Sequence, residues 1–186
     1  MNNNVCPWWL GYMLLNPLRR IIHNPDKILD EYVSQNMKIL DIGCAMGFFS
    51  LPMARLVGDQ GKVICIDLQD KMIEALVKRA KKSGLYHRME ARTCSYDSLG
   101  IDDIKEEVNF ALAFAVVHEV RDKERFLTEI FRALKPGGKL MIAEPKGHVA
   151  EKDFRDTVVL AQRAGFGVVK WPDDIGRSHS VILIKQ

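Results

Sequence analysis

Cysteine is scarce in this chain, and the four present (Cys6, Cys44, Cys65 and Cys94) are scattered. None shares a CxxC spacing or sits in a histidine cluster with metal-ligand spacing, so no metal site is expected. Cys65 falls inside an apolar strand-like run, where a buried thiol is the expected state. All four are read as reduced, which points to a cytoplasmic compartment. Long hydrophobic runs are missing too. The apolar stretch VCPWWLGYMLL at residues 5–15 is too short to span a bilayer. No basic residue precedes it and no small-residue cleavage site follows, so it is expected to belong to the mature protein. Charge of one sign is also lacking. With 27 Lys and Arg against 24 Asp and Glu, the net charge of +3 draws no basic stripe, and no nucleic-acid partner is expected. Repeats, low-complexity tracts and interdomain linkers are absent. What remains is 186 residues, enough for one domain with a core that needs no staples.

From residue 37 onward, short apolar runs alternate with amphipathic segments of helix length. Strands are predicted at KILDIG (38–43), KVICID (62–67), RMEART (88–93), NFALAFA (109–115), KLMIAEP (139–145), FGVVKW (166–171) and HSVILIKQ (179–186). Helical segments at FFSLPMARLVG, DKMIEALVKRAKKSG and DKERFLTEIFRALKPGG separate the early ones. This alternation predicts an α/β fold, a doubly wound sheet with helices on both faces. The last two strands are joined by only PDDIGRS (172–178), which leaves no room for a crossover helix. They should form an antiparallel hairpin beside five parallel strands, seven in all. Asn24 with Pro25, Asp70 and Asp122 mark helix starts; Gly84 and KPGG mark stops. Pro52 is expected to kink the first of these helices.

The stretch DIGCAMGFFS (41–50) ends the first predicted strand. In an open parallel sheet, ligands bind at such strand ends. A dinucleotide fingerprint would need small residues at 43, 45 and 48, but Phe48 would obstruct a pyrophosphate. No GK[ST] follows, so a P-loop is excluded as well. Asp41 at the loop mouth would repel a pyrophosphate and attract a cationic ligand end. S-adenosylmethionine carries an ammonium and a sulfonium. Asp67, ending the second strand, can accept from both hydroxyls of a ribose.

With these residues in place, the sequence resembles the class I SAM-dependent methyltransferases of small-molecule type. LDIGCAMG is similar to the family's first motif, with Ala45 where a middle glycine is usual. VICIDLQDKMIE, NFALAFAVVHEV and LKPGGKLMIAEP are similar to the later ones, with Asn109 where aspartate is frequent. The resemblance covers residues 37–186 and implies S-adenosyl-L-methionine as cofactor and S-adenosyl-L-homocysteine as product. Cofactor contacts are expected from Asp41, Gly43, Ala45, Gly47, Asp67, Leu68, Cys94, Ser95 and Ala115. Relatives often place an aspartate against the adenine amino group. Here Cys94 or Ser95 stands there, and Ser95 or a backbone group is the better hydrogen-bond partner.

The acceptor is expected past the fourth and fifth strands. His118 is the candidate base on pKa grounds, with loop orientation as its alternative. Glu144 is placed with it, catalytic or lining the pocket. Glu119, Lys146 and His148 are further pocket candidates. Residues 1–36 are read as a lid segment whose Trp8, Trp9 and Tyr12 shape an apolar acceptor pocket. Plain core packing and contact with a membrane surface are the rivals. KRAKK (78–82) is a solvated helix end. The arsenite-methylating branch is disfavoured because only Cys6 could face the acceptor. Methyl transfer to a small apolar or soft acceptor, by a monomer or homodimer, is the favoured function. A nucleic-acid (tRNA) methyltransferase and a non-catalytic SAM-binding partner subunit are the alternatives. The [DN]PP[YF] clamp used on flipped adenines is missing.

Overall fold

The computed structural model describes residues 22–173 and 175–186. Cys6, Trp8, Trp9 and Tyr12 lie outside the described residues. Seven strands form one sheet: β1 (Lys38–Ile42), β2 (Lys62–Asp67), β3 (Met89–Thr93), β4 (Val108–Phe114), β5 (Leu134–Pro145), β6 (Phe166–Lys170) and β7 (Ser178–Lys185). Their order is β3-β2-β1-β4-β5-β7-β6. The first five are parallel, and β7 runs antiparallel between β5 and β6. The expected sheet and its terminal hairpin are therefore observed. Strand order reverses between β1 and β4, so their carboxyl ends diverge and leave a crevice.

Both faces of the sheet are covered, which is why its inner strands read as nearly continuous apolar runs. On one face, Leu40, Ile42, Ala111 and Ile142 pack against helices α4 (Lys123–Ala133) and α5 (Glu151–Arg163). On the other, Ile39, Phe110, Leu112 and Met141 pack with residues of α1 (Pro25–Leu29), α2 (Ser50–Leu56) and α3 (Asp70–Lys82). Apolar spacing explains the helices: Met72, Leu76 and Ala80 form the buried stripe of α3. In α5 the buried positions are Phe154, Thr157, Val158 and Ala161. That helix carries the chain from β5 to β6 and had no sequence-based assignment, although its period was present.

The helix ends are partly as expected. Asn24 Oδ1 accepts from the Asp26 N–H at 3.1 Å, and Asp122 Oδ1 accepts from Arg125 N–H at 2.9 Å. Asp70 is instead the first residue of α3, after Gln69, and does not cap it. Pro52 is the third residue of α2, where a backbone N–H has no intrahelical partner to lose. It therefore belongs to the helix start and removes no interior bond. Helix α4 ends at Ala133, and Leu134 already pairs with Val108. Lys135–Gly138 then bulges out before pairing resumes at Lys139.

Part of the predicted lid segment is described. Leu29, Tyr32 and Val33 are buried in the core, and the Tyr32 ring stacks on Phe110 at 5.6 Å. Among the described residues, no helix is long and apolar enough to cross a membrane.

Candidate active site

A cavity of about 390 Å³ opens at the carboxyl ends of β1, β2 and β4. Its floor is set by the loop after β1. The N–H groups of Gly43 and Cys44 both donate to the carbonyl of Ile66, at 2.9 and 3.0 Å. Ala45 N–H donates to Asp67 Oδ2 at 2.9 Å, and Gln69 N–H donates to Asp67 Oδ1 at 3.0 Å. The loop is thereby tied to the end of β2, and Asp67 keeps lone pairs for a ligand.

The loop's backbone demands its composition. Gly43, Ala45 and Gly47 have φ values of +70°, +46° and +85°. A Cβ on Gly43 would meet Val116 Cγ2 at 2.7 Å, and one on Gly47 would meet Leu76 Cδ1 at 2.3 Å. Gly47 does not line the cavity; it lets α3 pack close to the loop. Ala45 tolerates the left-handed region at a cost of about 1–2 kcal/mol.

Asp41 is 3% exposed and accepts from Ser50 Oγ at 2.5 Å. Burial pushes its carboxyl up to about 7, against the Ser50 hydrogen bond, and the nearby Asp67 adds to the rise. Burial also raises Asp67, against the N–H groups that bond it. Asp97, Glu119, Asp122 and Glu129 line the cavity as well, and among the described lining residues Arg121 is the only Lys or Arg. Such a site suits a cationic guest and repels phosphates.

Most expected cofactor residues meet here: Asp41, Gly43, Ala45, Asp67, Leu68, Cys94, Ser95 and Ala115 all line the cavity. The Ser95 hydroxyl accepts from the N–H of Ser98 at 3.1 Å and of Asp97 at 3.3 Å, closing its own turn. Asp97, in the same turn, also lines the cavity. Glu129 holds this segment from α4, accepting the Leu99 N–H at 2.7 Å. Burial pushes the Cys94 thiol up to about 11. Cys44, Cys65 and Cys94 are free thiols, and burial raises Cys44 and Cys65 as well. Asn109 has a structural bond, accepting the Lys38 N–H at 2.9 Å.

Of the acceptor candidates, His118, Glu119 and His148 line the cavity, whereas Lys146 does not. The Lys146 N–H instead donates to the Arg177 carbonyl. Glu144 is 2% exposed and stands behind His118. Its Oε1 accepts the Val117 N–H at 2.7 Å and the His118 N–H at 3.3 Å, and its Oε2 lies 2.5 Å from His118 Nδ1.

An aromatic wall went unnoticed in the sequence. Phe48 contacts Phe49 at 5.0 Å, Phe49 contacts Phe114 at 4.7 Å, and Phe114 contacts His23 at 5.1 Å between ring centroids. All four line the cavity. Phe48 and Phe49 adjoin the glycine loop and were open to assignment; His23 comes near only through folding.

Comparison with known proteins follows the same lines. Residues 33–175 match a family model described as a methyltransferase domain. The chain is 30% identical over 112 residues to the ubiquinone/menaquinone biosynthesis C-methyltransferase UbiE of Cronobacter sakazakii, covering 60% of this chain and 44% of that protein. It is 37% identical over 129 residues to the mitochondrial ubiquinone biosynthesis O-methyltransferase of Bos taurus, covering 68% of this chain and 32% of that one. The chain thus spans less than half the length of these relatives. In fold it is similar to a SAM-dependent methyltransferase from Aquifex aeolicus, with a TM-score of 0.87 and 23% identity over 98% of this chain and all of that one.

Proposed function

Because this chain belongs to the methyltransferase-domain family, we propose that it transfers a methyl group from S-adenosylmethionine to a small, apolar or soft-nucleophile acceptor. The observation that carries this reading is the buried Asp41 carboxyl facing an acidic cavity whose other strand end bears Asp67. Those residues fit a guest with an ammonium and a ribose. Asp41 would hold the ammonium, and Asp67 would hold the ribose hydroxyls through the lone pairs its backbone bonds leave over. When bound, the cofactor supplies a methyl group activated on a sulfonium centre. The protein's part is alignment and exclusion of water, for which the Phe48–Phe49–Phe114 wall is suited.

The curated relatives are named for ubiquinone and menaquinone biosynthesis, so reduced quinones head the acceptor panel. The test is release of S-adenosylhomocysteine across quinols, phenols, thiols, amines and bulk tRNA, with Asp41→Ala as the blank. Turnover of a small acceptor by wild type alone supports the reading. Turnover of tRNA alone, or a tight S-adenosylmethionine complex that methylates nothing, overturns it in favour of a nucleic-acid enzyme or a non-catalytic subunit.

A further inference from the structure

We propose that His118 is the catalytic base that takes a hydroxyl proton from the acceptor, and that Glu144 is the positioning residue that makes it one. This rests on the methyl-transfer reading above and narrows its acceptor to a hydroxylated ring that enters the site protonated.

The argument starts at Glu144. Its Oε1 is fixed by two backbone N–H groups, from Val117 and His118, at the turn that follows β4. That anchoring aims Oε2 at His118 Nδ1, 2.5 Å away. An ionised carboxylate only accepts, so Nδ1 carries the hydrogen and the lone pair of the neutral ring is on Nε2. Nε2 lies 4.0 Å from Glu119 Oε1, beyond hydrogen-bond distance. The His118 side chain is 24% exposed and lines the cavity, while Glu144 is sealed behind it at 2%. A histidine that merely tied down its loop would need only Nδ1. This one also presents a basic nitrogen to the cavity that holds the aromatic wall.

Every charged group near the ring bears on its titration. Glu144 from β5 raises the His118 pKa most, through its hydrogen bond and then its charge; Glu119 raises it further, while burial and Lys123 from α4 oppose. The His148 ring stands edge-on at 5.9 Å. The net direction is upward, so the ring loses its basic lone pair as pH falls through a value above that of an ordinary histidine.

The chemistry balances without another reactant. An oxygen lone pair of the acceptor forms a bond to the methyl carbon as the carbon–sulfur bond breaks, and sulfur keeps that pair as a thioether. The hydroxyl proton passes to Nε2, giving an imidazolium that Glu144 stabilises, and leaves to solvent afterwards. An acceptor already ionised needs no such base. A phenol or quinol at neutral pH does.

Glu144→Gln tests this. The amide oxygen can still accept the Val117 N–H, but the NH₂ now donates to Nδ1. The hydrogen moves to Nε2, which then cannot accept a proton, the same logic by which a triad amide disables its histidine. Turnover of a weakly acidic phenol at pH 7 should fall by roughly 10²–10⁴-fold, the usual worth of a general base. KM for S-adenosylmethionine should stay unchanged. A dinitrophenol acceptor, ionised at that pH, should lose less than about threefold, since its proton is already gone. His118→Asn should give the same pattern. Independently of turnover, the NMR titration of the His118 ring should move down in Glu144→Gln.

Equal loss on phenol and dinitrophenol would mark a structural role and overturn the inference. So would an unmoved His118 titration. Wild type that methylates thiols but no hydroxylated ring would sink the inference and leave methyl transfer standing. Wild type that methylates nothing would remove both.

Discussion

Replacing Asp41 with asparagine isolates what its burial costs. The side chain is 3% exposed and its carboxyl is pushed up to about 7, from an ordinary value of 3.8. An acid raised on folding holds its proton in the native state while the unfolded chain has lost it, so stability falls as pH climbs between the two values. Below 3.8 both states are protonated and the group contributes nothing; above about 7 both are ionised and the full cost remains. At 1.36 kcal/mol per pH unit, that cost is about 1.6 kcal/mol at pH 5 and about 4 kcal/mol at pH 8. Asparagine has the same shape and can still accept from Ser50 Oγ, but never ionises. Asp41→Asn should therefore stabilise the ligand-free protein over wild type, with a margin that widens by about 2–3 kcal/mol from pH 5 to pH 8. Urea unfolding at both pH values measures it. The same variant should lose affinity for S-adenosylmethionine. Wild type should release close to one proton per cofactor bound at pH 6 and almost none at pH 8, measured by calorimetry in buffers of different ionisation heat. A stability difference that does not change with pH would refute the reasoning, because it would mean that Asp41 is not carried into the fold as a costly carboxylate.

Two further predictions concern the supports of the cavity. Gly47→Ala places a methyl 2.3 Å from Leu76 Cδ1 at a φ of +85° and should destabilise by about 1–3 kcal/mol, seen as a lower Tm. Adding Leu76→Ala should relieve the clash but not the backbone strain; no relief at all would show that packing is not the reason for the glycine. Glu129→Ala strips a buried acceptor from the Leu99 N–H and should cost about 1–3 kcal/mol while weakening S-adenosylmethionine binding through the 95–99 segment. Unchanged affinity by titration calorimetry would mean that this segment does not depend on α4.

The strands were legible because a parallel sheet covered on both faces needs apolar runs such as ILDI and VICID, and a run of that kind reads the same in sequence and in space. The antiparallel end followed from a seven-residue link too short for a crossover. Helix α5 was equally periodic, with Phe154, Val158 and Ala161 on one face and Gly165 just past its end, yet Ala150 gives its start no side-chain cap to draw notice. The methyltransferase reading likewise rested on local signals, the glycine loop and two strand-end aspartates, and the family match bears it out.

What the sequence alone determined is therefore whatever depends on neighbours along the chain: most strand and helix types, the glycine loop after the first strand, and the placing of Asp41 and Asp67 at strand ends. Tertiary structure decided what depends on neighbours across it. Gly47 is a packing residue because Leu76, 29 positions later, comes to rest on it. Glu144 faces His118 because β5 runs beside β4 in parallel register, bringing two strand ends 26 residues apart within hydrogen-bond reach. Asp41 titrates near 7 only because the sheet buries it. A pKa, a clash and a hydrogen-bonded pair are properties of distances and of excluded water, and both are set by the folded sheet and the helices that cover it.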